Sequence, residues 1–147
     1  MAKRREGDPF MAAPDYGRSL AGFNVNLLVK DVRRALDFQE AVLGLTPVYW
    51  DSDFAVMQHG AVQWMLHADH TYDKHPLSPL LGDGAVRGLG CELRLYDIDP
   101  DVAEARARAR GYAVLQASAD KPHGLREVFL LDADNYLWVP GRKIGTK

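Results

Sequence analysis

The chain has 147 residues, 47% hydrophobic and 26% charged, with a formal net charge of -2 and a single cysteine. That length suits one domain with a core and a pocket, and the charge excludes a general nucleic-acid binder, which needs an excess of Lys and Arg on one face. One cysteine, Cys91, excludes an internal disulfide, and nowhere do 18 apolar residues run together to span a membrane.

Residues 1–20 mix charge with Gly7, Pro9, Pro14 and Gly17 without periodicity, which predicts an arm that needs a surface to lie on. No secretory apolar run follows the basic start MAKRREGDPF, so the expectation is a soluble cytoplasmic protein. From about Phe23, FNVNLLVK alternates with Val25, Leu27 and Val29 on one face, a half-buried strand. DVRRALDFQEAVLG then reads as one amphipathic helix, capped by Asp31 and stopped by Gly44. Three strand-like runs follow, TPVYWD, DFAVMQH and AVQWMLHA.

The second half repeats the order. GCELRLYD is an alternating strand with Cys91, Leu93 and Leu95 on one face, which predicts a buried thiol. DPDVAEARARARG is a helix capped by Asp99, with Pro100 at its first position and Gly111 as its stop. YAVLQA, REVFLLD and NYLWVP supply three more strands. The predicted organisation is an arm at 1–20, a βαβββ module at 21–68, a Pro-, Gly-, Asp- and His-rich connection at 69–89, a second βαβββ module at 90–140, and a tail at 141–147. A repeat of about 65 residues fits duplicated half-domains better than a solenoid.

NVNLLVKDVRRALDFQEAVLGL resembles the opening strand, Asp, helix and Leu-Gly ending of the vicinal oxygen chelate superfamily of glyoxalase I, extradiol dioxygenases and bleomycin-resistance proteins. GLREVFLLDADNYLWV is similar to its Arg-containing strand followed by an Asp-Pro-Asp-Gly turn. The resemblance covers about residues 22–140. It implies an α+β fold, two βαβββ modules in one chain whose curled mixed sheets surround a cleft, commonly assembled as a homodimer. Metal-dependent members place His, Gln or Glu on the first and fourth strands of each module. The matching positions here are Asn24, Met65, Gly90 and Val139, a set poor in ligands for Fe, Mn or Zn, so no metal cofactor is expected.

Strand parity puts Val25, Leu27, Val62, Trp64, Leu66, Cys91, Leu93, Tyr136 and Trp138 under the helices. The opposite faces carry the expected ligand-binding set: Asn24, Asn26, Gln63, Met65, His67, Glu92, Arg94, Leu137 and Val139. His67 and Glu92 are the candidate acid and base, and with His70 or His75 they form an alternative, displaced two-His, one-carboxylate metal set. Otherwise His70 and His75 belong to a solvated loop, and Glu92 and Arg94 are charges paired with each other or across the cleft. Lys121, His123, Arg126 and Glu127 read either as an anion or acid-base site or as structural contacts. Glu104 and Arg108 form an i,i+4 pair on a solvated helix face. Tyr49, Trp50, Phe54 and Tyr72 could stack on a planar ligand, but in this number they are ordinary core material. The leading expectation is a metal-free small-molecule binding protein; the alternative is a lyase, isomerase or oxygenase of the same superfamily. Whether the protein turns anything over is left open by the residues.

Overall fold

A computed structural model describes residues 10–145. The chain divides into two compact units, residues 1–36 with 45–82 and residues 37–44 with 83–147. Each unit holds one four-stranded mixed sheet, and the fold is the expected α+β arrangement with βαβββ occurring twice.

In the first unit the strands are β1 Asn26–Val29, β2 Pro47–Trp50, β3 Phe54–His59 and β4 Val62–Ala68, in spatial order β1-β4-β3-β2. β1 and β4 are parallel, with Leu27 opposite Leu66 and Leu28 opposite His67, and the remaining pairs are antiparallel. One face of this sheet carries Leu27, Ala55, Met57, Trp64 and Leu66, all buried. Val62, placed on that face by parity, is 65% exposed because it opens β4 next to the Gly60 turn, where the sheet has no cover. Residues 13–19, expected as part of an irregular arm, form a short helix, α1 Ala13–Ser19. It has no fully buried residue, so its seven residues lack the apolar stripe by which a helix is read from sequence. The arm residues before Phe10 lie outside the described residues.

The helix expected over 31–44 changes character midway. Asp31 caps it as predicted, its Oδ1 accepting from Arg34 N at 2.8 Å, but α2 runs only over Val32–Asp37. Phe38–Val42 then widens into a π-helix, with Leu43 N donating to Phe38 O at 3.1 Å, before the turn at Gly44 with φ +73°. Amphipathic spacing reports which face is buried but not whether a turn closes at four residues or five.

The second unit holds β5 Glu92–Tyr96, α3 Pro100–Ala109, β6 Val114–Asp120, β7 Leu125–Leu131 and β8 Leu137–Lys143, in spatial order β5-β8-β7-β6. β5 and β8 are parallel, and β8 runs on to Lys143, three residues past the predicted NYLWVP strand. Asp99 caps α3 through a 2.9 Å bond from Asp101 N, and Ala103 and Ala107 are its buried positions. Phe38 is fully buried in this unit, edge-on to Tyr112 at 5.1 Å and 6.3 Å from Trp138. Asp37 accepts from Tyr112 Oη at 2.5 Å and from Arg110, and these bonds, Arg110's first, hold its carboxyl below the usual carboxylate range. Glu104 and Arg108 pair at 2.9 Å as predicted.

Cys91 is exposed, against the expectation of a buried thiol. β5 begins only at Glu92, and Cys91 belongs to a turn in which its N–H donates to Gly88 O at 2.9 Å. The parity that governs the strand therefore does not extend back to it.

Candidate functional site

The face of the first sheet opposite its core carries Asn26, Leu28, Phe54, Val56, Gln63, Met65 and His67. Tyr49 pairs with Val56 on the same sheet. The arm lies over this aromatic end. Phe10 stacks on Tyr49 with centroids 5.3 Å apart, and Tyr16 of α1 is edge-on to Phe10 at 5.7 Å and to Phe54 at 6.1 Å. Beneath the arm is a cavity of about 170 Å³, walled by Phe10, Tyr16 and Leu20 from the arm side and by Asp53, Phe54, Met65, His67 and Tyr72 from the other. A cavity of about 150 Å³ is enough to hold a benzene ring.

His67 is built into this wall with a defined proton position. Its ring stacks on Phe54 at 5.2 Å and 24° and lies 5.1 Å from Tyr72. Its Nδ1 sits 2.6 Å from Asn26 Oδ1, and since an amide oxygen only accepts, Nδ1 carries a proton, which in the neutral ring leaves the lone pair on Nε2. Two residues expected to face a ligand separately, Asn26 and His67, thus act as one group: Asn26 orients the ring, and His67 presents an acceptor.

The other two histidines of HADHTYDKHP have separate roles. His70 Nε2 bonds Asp53 Oδ1 at 2.9 Å, so His70 is anchored to a buried carboxylate, a correction to its reading as a plain solvated-loop residue. His75 Nδ1 accepts from Leu77 N at 3.0 Å and shapes the connection. His70 also lines a second cavity of about 270 Å³ with Leu28, Asp69, Tyr72 and Leu81. Among the described residues, no group of three or more His, Cys, Asp or Glu side chains forms a set able to hold a metal ion. At the four positions that the resemblance implies for metal ligands stand an amide at Asn24, a thioether at Met65 and no donor side chain at Gly90 or Val139, a donor set that suits a hard divalent ion poorly.

In the second unit the register places Glu92, Arg94, Leu137 and Val139 on one face of the sheet. Arg94 ion-pairs with Glu127 and lies 3.6 Å from Glu92. Glu127 is only 2% exposed and also bonds His123 Nε2 at 2.5 Å. Burial pushes its carboxyl up, and the bonds from His123 and Arg94 more than offset this, leaving it below the ordinary glutamate value. Arg126 bonds Asp101 and Asp120, each at 2.9 Å. The KPHGLRE residues therefore make the structural contacts that were one of their two readings. Val139 is 2% exposed, Leu137 and Arg94 are half-buried, and Glu92 is exposed. In the first unit Asn24 and Gln63 are half-buried, and Gln63 bonds Gln58 at 2.9 Å.

Sequence reasoning missed Phe10, Tyr16 and Asp53 and left Tyr49, Phe54 and Tyr72 as core material. The signal for the aromatics was present in their number. What was missing was the arm that gathers them, because its partners lie more than thirty residues away in sequence.

No protein-family model and no curated protein matches the sequence. Solved structures do. TioX from Micromonospora sp. ML1 is 22% identical, with a TM-score of 0.60 over 86% of this chain and 99% of its own. A glyoxalase/bleomycin resistance protein/dioxygenase family enzyme from Burkholderia phytofirmans PsJN is 16% identical, with a TM-score of 0.67 over 82% of this chain and 97% of its own. A lactoylglutathione lyase from Agrobacterium tumefaciens is 22% identical, with a TM-score of 0.59 over 83% of this chain and 92% of its own. The chain has the fold of these proteins.

Proposed function

We propose that this protein binds a small molecule, inserting a planar, ring-sized group between the N-terminal arm and the sheet of its first unit, without a divalent metal. The observation that carries this reading is the aromatic cavity under the arm, with Phe54 and Tyr72 flanking a His67 ring whose acceptor nitrogen is fixed by Asn26. Aromatic walls with a few placed polar groups are what a pocket for a flat ligand needs. One fold hosts unrelated functions, so the likeness to these neighbours does not choose between binding and turnover. The reading includes homodimeric assembly, as the sequence resemblance implies, and a cytoplasmic location, in keeping with a single exposed thiol.

Two measurements test it. Protein purified without chelators is expected to carry no stoichiometric Fe, Mn or Zn and to keep its Tm in EDTA; one equivalent of tightly bound metal contradicts the metal-free reading. Phenol, as a ring-sized probe with one O–H donor, is expected to bind the wild-type chain and to lose about tenfold in affinity in His67→Ala, roughly the effect of one hydrogen bond in a desolvated site. Equal affinities contradict the placement of the ligand.

One observation favours a second reading. A histidine held in a single tautomer by Asn26 is also what an acid-base catalyst requires. On that reading the protein is a lyase, isomerase or oxygenase in which His67 moves the proton.

A further inference from the structure

Asp53 is the most unusual wall residue of the cavity under the arm. Its side chain is 2% exposed, and its backbone is fixed by Asp51 Oδ1, which accepts from Asp53 N at 2.8 Å. His70 Nε2 occupies Oδ1 at 2.9 Å. The other oxygen, Oδ2, is buried and receives no hydrogen bond from any described residue. Tyr16 lines the same cavity from the arm, and its hydroxyl is likewise buried without a hydrogen-bond partner among the described residues. Burial raises the Tyr16 pKa, so the group stays an O–H.

Buried carboxylate oxygens almost always have a donor, because leaving one without a partner costs its full desolvation. Two polar atoms lack hydrogen-bond partners among the described residues, and both belong to residues that line one ring-sized cavity, one from the sheet turn and one from the arm, which makes them the contacts available to a ligand's polar end. The carboxylate fixes the sign of that end: it only accepts, and a cationic N–H donor makes a shorter and stronger bond to it than a neutral one. A hydroxyl accepts as readily as it donates, so Tyr16 can take a second N–H of the same group.

We infer that the cavity takes a flat ring carrying an amidinium or ammonium group, with the ring against Phe54, His67 and Tyr72 beneath the arm and the cationic nitrogen on Asp53 Oδ2 and Tyr16 Oη. This rests on the reading of the cavity as the ligand site and adds the ligand's charge. It also gives the arm a chemical role, since Tyr16 contributes one of the two polar contacts.

The full chain is titrated with benzamidine, benzoate and phenol, with affinity measured by calorimetry and location by the amide shifts of Tyr16, Asp53, Met65 and His67. Benzamidine is expected to bind at least tenfold more tightly than phenol, and benzoate more weakly than phenol. Asp53→Asn, with its melting temperature checked, brings benzamidine down to the phenol level while phenol changes less than twofold; Tyr16→Phe, which removes only a hydroxyl on the arm, weakens benzamidine several-fold. If phenol binds in the cavity and benzamidine binds no better, the assignment of charge is overturned while the site stands. If no probe shifts these amides, both are overturned. Should Asp53→Asn fail to fold, the order of the three probes on the wild-type chain decides by itself.

Discussion

Asp132→Ala is expected to lower the free energy of unfolding by about 3 to 5 kcal/mol, because it strips the acceptor from three buried donors that lose about 1–3 kcal/mol each when left without one. Asp132 Oδ1 accepts from Asp134 N at 2.9 Å and Tyr136 N at 3.0 Å, and Oδ2 accepts from Trp138 Nε1 at 2.8 Å. These bonds build the turn between β7 and β8, in which Asn135 stands at φ +69°. Asn tolerates that left-handed conformation better than most residues other than Gly.

The same residue gives the stability a pH dependence whose sign is fixed. Burial raises its pKa, and the bonds from Trp138, Tyr136 and Asp134 bring it only part of the way back, to about 6. The native state therefore holds the proton more tightly than the unfolded chain, whose reference value is 3.8. The contribution is fully present below about pH 4 and is lost as pH rises through about 6. Two units of pKa correspond to about 3 kcal/mol. Urea unfolding between pH 4 and 7 should show wild type losing stability relative to Asp132→Asn, which has no proton to lose there. A constant difference between the two across that range would contradict the assignment.

Asp51→Ala is the second large effect, expected at about 2 to 4 kcal/mol by the same reasoning. Asp51 Oδ1 accepts from Asp53 N at 2.8 Å and Phe54 N at 3.0 Å, and Oδ2 accepts from Tyr49 Oη at 2.6 Å. One buried carboxylate thus sets the β2–β3 turn and two residues of the cavity wall. The variant should lose stability and probe binding together, with phenol affinity at 10 °C, where the variant remains folded, down by about tenfold. Unchanged binding in a folded Asp51→Ala protein would separate the turn from the site.

The architecture was legible because its signals are local. Alternation wrote most of the strands, Asp31 and Asp99 wrote the caps, and Gly44 and Gly111 wrote the stops. The departures have specific causes. Cys91 lies one residue before its strand, Val62 sits at a hairpin end, and Phe38–Val42 closes its turn one residue late. The site was less legible, since Asn26 and His67 are brought together from 41 positions apart. Parity found them separately, but not that one fixes the proton of the other. Nothing local identified α1, which meets the sheet through the aromatic contact of Tyr16 with Phe54. Asp53 resembled any turn aspartate until its carboxylate proved to be buried.

The central claim is that a ligand lies between the arm and the sheet of the first unit. The measurement that tests it most directly is a crystal structure of the full chain soaked with phenol. The ring is expected within contact distance of Tyr16, Phe54, Met65 and His67, with its O–H on His67 Nε2. Phenol bound instead only among residues 83–147, or density absent under the arm at saturating phenol, would contradict it.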